Sequence, residues 1–313
     1  MKKIDLGKGG LVSPAIALGC MRMRDLSTAK AMAAIAAAME SGINFFDHAD
    51  IYGLNGAAET IFGKAAKEMG LARESMIIQT KCGLARNADW TANAAFDFSK
   101  AHIIASVEGS LSRLGMDYVD LLALHRPDAL VEPEEVAAAF DTLRGRGLVR
   151  HFGVSNHTSG QIELLKKYLG DKIIVNQLQF GIGHMGMVDF GLNMNMKTDA
   201  SIDRDGGVLD YCRLNDITIQ AWSPYLASDG SGVFVDNPKF PKLNATLAEI
   251  AGRHGISKDA LGAAWILRHP AKMQVIIGSM NPGRIRDIAS ACDISLSRED
   301  WYGIYIAAGN PLP

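Results

Sequence analysis

Gly42-Ile43-Asn44-Phe45-Phe46-Asp47-His48-Ala49-Asp50-Ile51-Tyr52-Gly53 reads as a short apolar strand that breaks abruptly into a polar loop. The strand covers 43–47 and ends on Asp47. Tyr52 stands further along, on the glycine-flanked loop. Before the strand, Gly42 stops an alanine-rich helix over 29–41, for which Ser27 or Thr28 is the cap. After it, a helix over 57–69 is ended by Gly70.

This strand–helix unit repeats in both directions. Upstream, residues 3–18 give two short strands around Lys8-Gly9-Gly10, a hairpin signal, and Ala15-Ile16-Ala17-Leu18-Gly19 is a buried-strand pattern. Downstream, strands are expected at 76–80, 118–124, 152–154, 172–176, 218–221 and 274–277. Helices are expected at 99–114, 133–145, 159–168, 206–215, 241–254, 257–268, 282–290 and 298–308. Counted from 15–18, eight strands each precede a helix, which implies parallel strands with helical crossovers. A single α/β domain over 1–313, a (β/α)8 TIM barrel with an N-terminal hairpin, is the expected fold. A doubly wound open sheet is the runner-up. It lacks a G-x-G-x-x-G after the first strand, and polar residues follow nearly every strand rather than one switch point. Three long loops interrupt the pattern: 82–98 with Trp90, the glycine- and methionine-rich 180–206, and 222–240.

The composition, 48% hydrophobic and 21% charged, supplies one large core, and a net charge of −2 with mixed signs gives no nucleic-acid footprint. Cys20, Cys82, Cys212 and Cys292 form no C-x-x-C pair, so neither structural zinc nor a disulfide framework is expected; idle thiols suit a reducing cytoplasm. Met1-Lys2-Lys3 is basic, but Asp5 follows without a signal-length apolar stretch, and no run of 18 apolar residues occurs.

In a barrel, residues just after the strands converge on one face. They are Asp47 and Tyr52, then Lys81, His125, Ser155 with Asn156, Gln177, Trp222 with Ser223, and Ser279. Singly, Asp47 reads as a loop cap, Tyr52 as a half-buried aromatic and His125 as a satisfied core histidine. Titratable groups at the ends of three consecutive strands are hard to explain by packing. A phenol titrates near 10; a lysine cation lowers that value, and Asp47 can hold the lysine charged. The set is a general acid for protonating an alkoxide, with His125 orienting a carbonyl. No metal-ligand spacing occurs, and His151 and His157 are not placed to make a triad with Ser155. Hydride must then come from a nicotinamide cofactor. Ser279 and the helix starting near Pro282 offer a phosphate site, and Arg284 in its first turn can fork onto a 2′-phosphate.

These segments resemble those of the aldo-keto reductases over nearly the whole chain. Phe46-Asp47-His48-Ala49-Asp50-Ile51-Tyr52-Gly53 is similar to the family's F-D-T-A-x-x-Y-G, and Asp47, Tyr52, Lys81 and His125 fall on its catalytic tetrad. Gly153-Val154-Ser155-Asn156 matches G-V-S-N, whose Ser-Asn pair holds the nicotinamide carboxamide with a glutamine, here Gln177. Trp222-Ser223-Pro224 resembles Y-S-P, with Trp222 as the ring that stacks on the nicotinamide. Together with K-C-G, H-R-P-D and V-R-H-F-G-V-S-N, the pattern is similar to a bacterial oxidoreductase subgroup. The resemblance implies NADPH, with NAD possible, bound across the C-terminal face by Cys20, Met21, Asp47, Ser155, Asn156 and Gln177 at one end. Trp222, Ser223, Pro224 and Tyr225 come next, then Gly278, Ser279, Asn281 and Arg284 at the other end. It implies a small carbonyl substrate against Met23 and Trp90, with no nucleic-acid or membrane partner. His48 stands where many members have threonine, and Gly278 where many place a lysine. Two other readings stand beside it: a cofactor-bound regulatory protein, as in the potassium-channel β-subunits the family includes, and a hydrolase using Asp47 with Asp50 or Glu59.

Overall fold

The computed structural model describes residues 1–86, 93–170, 173–310 and 312–313. Strands β1 (Lys3–Leu6) and β2 (Leu11–Pro14) form the N-terminal hairpin. The barrel starts with β3 (Ile16–Gly19), β4 (Phe45–Asp47) and β5 (Ile77–Cys82). Two short antiparallel strands, β6 (Leu84–Arg86) and β7 (Asn93–Phe96), follow. The barrel resumes with β8 (Val119–Leu124), β9 (Val149–Ser155), β10 (Ile173–Gln179), β11 (Thr218–Trp222) and β12 (Gln274–Ile277). Every neighbouring pair in the barrel is parallel, and β12 pairs β3, which closes the ring. The expected eight-stranded barrel is therefore the fold, and the open sheet is excluded.

Helices on the outside connect these strands. They are α1 (Thr28–Glu40), α2 (Ala57–Glu68), α3 (Lys100–Leu114), α4 (Pro133–Gly145), α5 (Ser159–Lys166), α6 (Gly186–Leu192) and α7 (Val208–Leu214). Then come α8 (Pro241–His254), α9 (Lys258–Leu267), α10 (Pro282–Ala289) and α11 (Arg298–Ala307). Their starts obey local chemistry: Ser27, Ser99 and Thr158 accept main-chain N–H groups as caps, and Pro133 takes a first-turn place that needs no N–H.

Two expectations change. Segment 82–98 is not only loop, because β6 and β7 build a hairpin in it; each strand is too short to give a periodic signal. Segment 180–206 contains α6, whose glycines at both ends hide a helical pattern.

Alternation along each strand sorts the side chains. Phe45 faces the barrel axis and packs with Leu121, Val175, Ile276 and Leu6 of the hairpin, while Phe46 faces the helices. Leu6 thus plugs the bottom, and its full burial contributes roughly 2 kcal/mol. Gly7 makes this approach possible: it has φ +60°, and a Cβ there would lie 2.5 Å from the Ile174 carbonyl oxygen.

Candidate active site

The same alternation puts Asp47 two residues after Phe45, and Gln79 and Lys81 on one face of β5, all pointing inward above the apolar plug. Lys81 is fully buried. Its Nζ donates to Asp47 Oδ1 at 2.7 Å, to the His48 main-chain oxygen at 2.8 Å and to Tyr52 Oη at 3.2 Å. A buried ammonium is costly unless its hydrogens are taken, and here all three are. Burial works against the Lys81 cation, but Asp47 and Tyr52 together outweigh it and hold its pKa above the ordinary value.

Tyr52 is half-buried, with its ring edge-on to His125 at 5.9 Å between centroids. Burial pushes its phenol above 10.0, and the Lys81 cation opposes this without reversing it. The expected net lowering of Tyr52 is corrected: desolvation wins, and the phenol keeps its proton through the neutral range. His125 is held well below 6.5, first by burial and then by Lys81, Arg126 and Arg86, so its ring is neutral.

Asp47 is the top of a longer network. Register sets Asp47 beside Gln79, and Gln177, Gln220 and Gln274 side by side on β10, β11 and β12. Gln79 Nε2 and Gln177 Nε2 donate to Asp47 Oδ1 at 2.6 and 3.1 Å. Gln220 Nε2 donates to Gln79 Oε1 at 2.9 Å and to Gln274 Oε1 at 2.8 Å. Gln274 Nε2 reaches Ser13 Oγ at 2.7 Å in the hairpin. Asp47 only accepts, so every amide in the chain has a fixed sense.

His48 is explained by its backbone. The imidazole is fully buried, edge-on to Phe62 at 4.6 Å, and burial then Lys81 press its pKa down to about 3. Its carbonyl serves the site, while both ring nitrogens are buried without a hydrogen-bond partner among the described residues. Outward-facing Thr80 donates to buried Glu59, which also pairs with Arg113 at 2.8 Å. Asp50 lies by this pair, and burial and then Glu59 push it up to about 7. Glu59 and Asp50 therefore belong to the layer between barrel and helices, not to the chamber holding Lys81, which removes the hydrolase pairing.

The raised Asp50 value has a measurable consequence. A carboxyl with a higher pKa in the fold than in the unfolded chain stabilises while protonated. That contribution is full below the unfolded value of 3.8 and is lost as pH rises to about 7. The amide of Asp50→Asn never ionises. Its stability advantage over wild type should grow by roughly 2–3 kcal/mol between pH 5 and pH 8, measured by denaturant unfolding at each pH. A constant difference would mean that Asp50 ionises at no cost.

The expected cofactor residues line the same barrel end. Ser155 Oγ donates to the Gln177 main-chain oxygen, and Asn156 Nδ2 donates to Ser155 Oγ at 2.8 Å. Trp222 Nε1 donates to Asn156 Oδ1 at 3.1 Å. Asn156 and Ser223 hold φ +60° and +48°, a left-handed backbone unusual for either residue. At the other end, a Cβ on Gly278 would meet nothing within 4 Å, so space opens beside Ser279 and the start of α10. An extended dinucleotide suits these donors and this opening.

Other residues are committed elsewhere. Asn281 Oδ1 caps α10 by accepting the Arg284 N–H. Arg284 Nε pairs with Asp259 at 3.0 Å, so its fork is already shared. Tyr225 turns away, donating to the Asp259 carbonyl and packing on Gly262. Gln177 gives its amide to Asp47 and Gln220 rather than leaving it free. Pro224 closes against Gly181 through its main chain. Cys20 is buried under the Asp47 backbone, with Met21 exposed after it. Met23, expected against the substrate, is fully buried in the main core, because the tight turn Met21–Asp25 rotates it inward. Trp90 lies outside the described residues. Among the described residues no cluster of three or more metal-ligating side chains occurs, and no helix is long and apolar enough to cross a membrane. The sequence reading missed Gln79, Gln220, Arg86 and Arg126.

A family model described as "Aldo/keto reductase family" matches residues 15–307. YcsN, an oxidoreductase of Bacillus subtilis (strain 168) without a stated substrate, is 35% identical over 294 residues, 92% of this chain and 91% of that one. The 6-dehydroglucose reductase of Agrobacterium fabrum is 33% identical over 287 residues, 91% and 89% of the two chains. The crystal structure of a thermostable aldo-keto reductase, Tm1743, with the inhibitor epalrestat superposes with a TM-score of 0.77 at 27% identity, covering 98% of this chain and 100% of that one.

Proposed function

Because the chain belongs to the aldo/keto reductase family of oxidoreductases, we propose that it reduces an aldehyde or ketone to the alcohol with NADPH, the proton coming from Tyr52. One observation carries this reading: the buried Lys81 ammonium joins Asp47 to the phenol of Tyr52 at the mouth of the barrel. Bound along this face, a nicotinamide supplies the hydride that no side chain can. The protein's part is to place the carbonyl and manage one proton.

The phenol holds its proton until an oxygen beside it becomes basic. As alkoxide charge develops there, Tyr52 gives up the proton, and the phenolate left behind faces Lys81 at 3.2 Å. That cation is worth more to the phenolate than to the phenol, so it acts on the transition state rather than on ground-state binding. His125, kept neutral by burial and its cationic neighbours, offers an N–H to the same oxygen. Asp47 does not act on the substrate. It holds Lys81 charged and is itself held by three donors.

Trp222 offers its ring to the nicotinamide, Ser155 and Asn156 its amide partners, and Ser279 with Arg284 the phosphate end. Arg284 must divide itself between Asp259 and a 2′-phosphate, and Gly278 adds no cation. A modest preference for NADPH follows, roughly tenfold over NADH in kcat/KM. The experiment is a screen of carbonyl compounds, including 6-dehydroglucose, followed at 340 nm with each cofactor. Arg284→Gln should bring the two cofactors to near-equal rates. Equal rates in the wild type would remove Arg284 from the cofactor site, and no oxidation of either cofactor would remove the reductase reading.

A further inference from the structure

Three cations press on the His125 ring, and among the described residues only Lys81 is paired with a carboxylate. Lys81 belongs to Asp47. Arg86, at the end of β6, donates from Nη2 to the main-chain oxygen of Ile51, the residue before Tyr52, at 3.3 Å. Its Nε is buried with no partner among the described residues. Arg126 follows His125 directly, is exposed, and carries its guanidinium 5.6 Å from the Trp222 ring centroid. Neither guanidinium has a carboxylate partner among the described residues.

Among the described residues, the acids nearest the site are already used. Asp47 takes three donors below the site. Asp50 lies against Glu59 near Arg113. Asp128, near Arg126 in sequence, accepts the main-chain N–H groups of Phe98 and Leu130. Among the described residues, the mouth of the site therefore carries positive charge with no carboxylate set against it. A partly buried guanidinium nitrogen without an acceptor is costly, and the cost is offset when a ligand brings the acceptor.

Placement says which ligand. Tyr52 and His125 stand edge-on, and in the reductase reading both address the carbonyl oxygen. Arg86 is tied to the loop of Tyr52, and Arg126 lies on the Trp222 side of His125. Both guanidiniums thus stand near the Tyr52–His125 pair, one on the Ile51 side and one on the Trp222 side, within reach of a second functional group on a molecule bound there. We propose that Arg86 and Arg126 bind a carboxylate carried by the carbonyl substrate, so that the enzyme selects acidic aldehydes or ketones over neutral ones. Planar carboxylate and planar guanidinium meet through two hydrogen bonds, which orients the substrate as well as attracting it. This inference rests on the reductase reading.

The test uses a pair of substrates that differ only in charge, 4-carboxybenzaldehyde and its methyl ester, with NADPH. Wild type should favour the acid by roughly tenfold or more in kcat/KM, less so as salt is added. Arg126→Met and Arg86→Met should each cut that acid-to-ester ratio about tenfold, mainly through KM, and Arg126→Lys should restore part of it. A ratio near one in wild type, or one unchanged in both methionine variants, overturns the proposal. Terephthalate binding, followed by tryptophan fluorescence, needs no turnover. It should weaken roughly tenfold in each methionine variant. Equal affinity in all three proteins overturns the proposal. Arginine-dependent terephthalate binding without turnover of any aldehyde upholds the carboxylate site and overturns the reductase reading on which the substrate selection rests.

Discussion

Tyr52→Phe is expected to lower kcat by roughly 10²–10⁴-fold, the range a positioned general acid contributes. The substitution removes one oxygen from a half-buried ring and one of the three acceptors of Lys81. Asp47 and the His48 carbonyl remain, so the cation stays in place and the barrel should unfold near the wild-type temperature. NADPH should still quench tryptophan fluorescence with unchanged affinity. The pH profile sharpens the assignment. Because burial raises Tyr52 above 10.0, carbonyl reduction by wild type should show no loss from phenol ionisation below that pH and should decline above it. Turnover by the phenylalanine variant at more than a few per cent of wild type would take the proton-donor role away from Tyr52.

Lys81→Met is expected to damage both rate and stability. The phenolate that forms as Tyr52 donates would lose its stabilising charge, which lowers kcat by roughly 10²–10³-fold. Asp47 would keep a buried negative charge with only Gln79 and Gln177 to answer it. Breaking one partner of a buried ion pair typically costs about 3–5 kcal/mol, mostly as the penalty on the charge left behind. The double variant Lys81→Met/Asp47→Asn should therefore be more stable than Lys81→Met alone while recovering no activity, as read by unfolding and NADPH oxidation. If the double variant is the less stable, the orphaned carboxylate is not the source of the loss.

Much of this site was legible because it sits where a barrel concentrates its polar residues. Asp47, Lys81 and His125 each follow an apolar strand, and the break from apolar to polar is visible in one dimension. What escaped depends on facts that a strand does not carry. Gln79 and Gln220 are 141 positions apart and meet only because β5 and β11 face each other across the axis. As single residues they look like ordinary polar interruptions. Met23 was misread because its neighbourhood folds as a tight turn, in which alternate side chains do not share a face. The net direction on Tyr52 was missed because proximity to a lysine can be guessed from strand ends, whereas the depth of burial that outweighs it cannot. His48 offered nothing to read, since its contribution is a carbonyl that every residue owns.

The run of amides from Asp47 down to Ser13 also ties the site to the N-terminal hairpin. Leu6 is seated below, and the glutamines joined across the axis carry hydrogen bonds from the hairpin up to Asp47. A change at Ser13 in the hairpin can therefore reach Asp47 through hydrogen bonds alone, from the opposite end of the barrel.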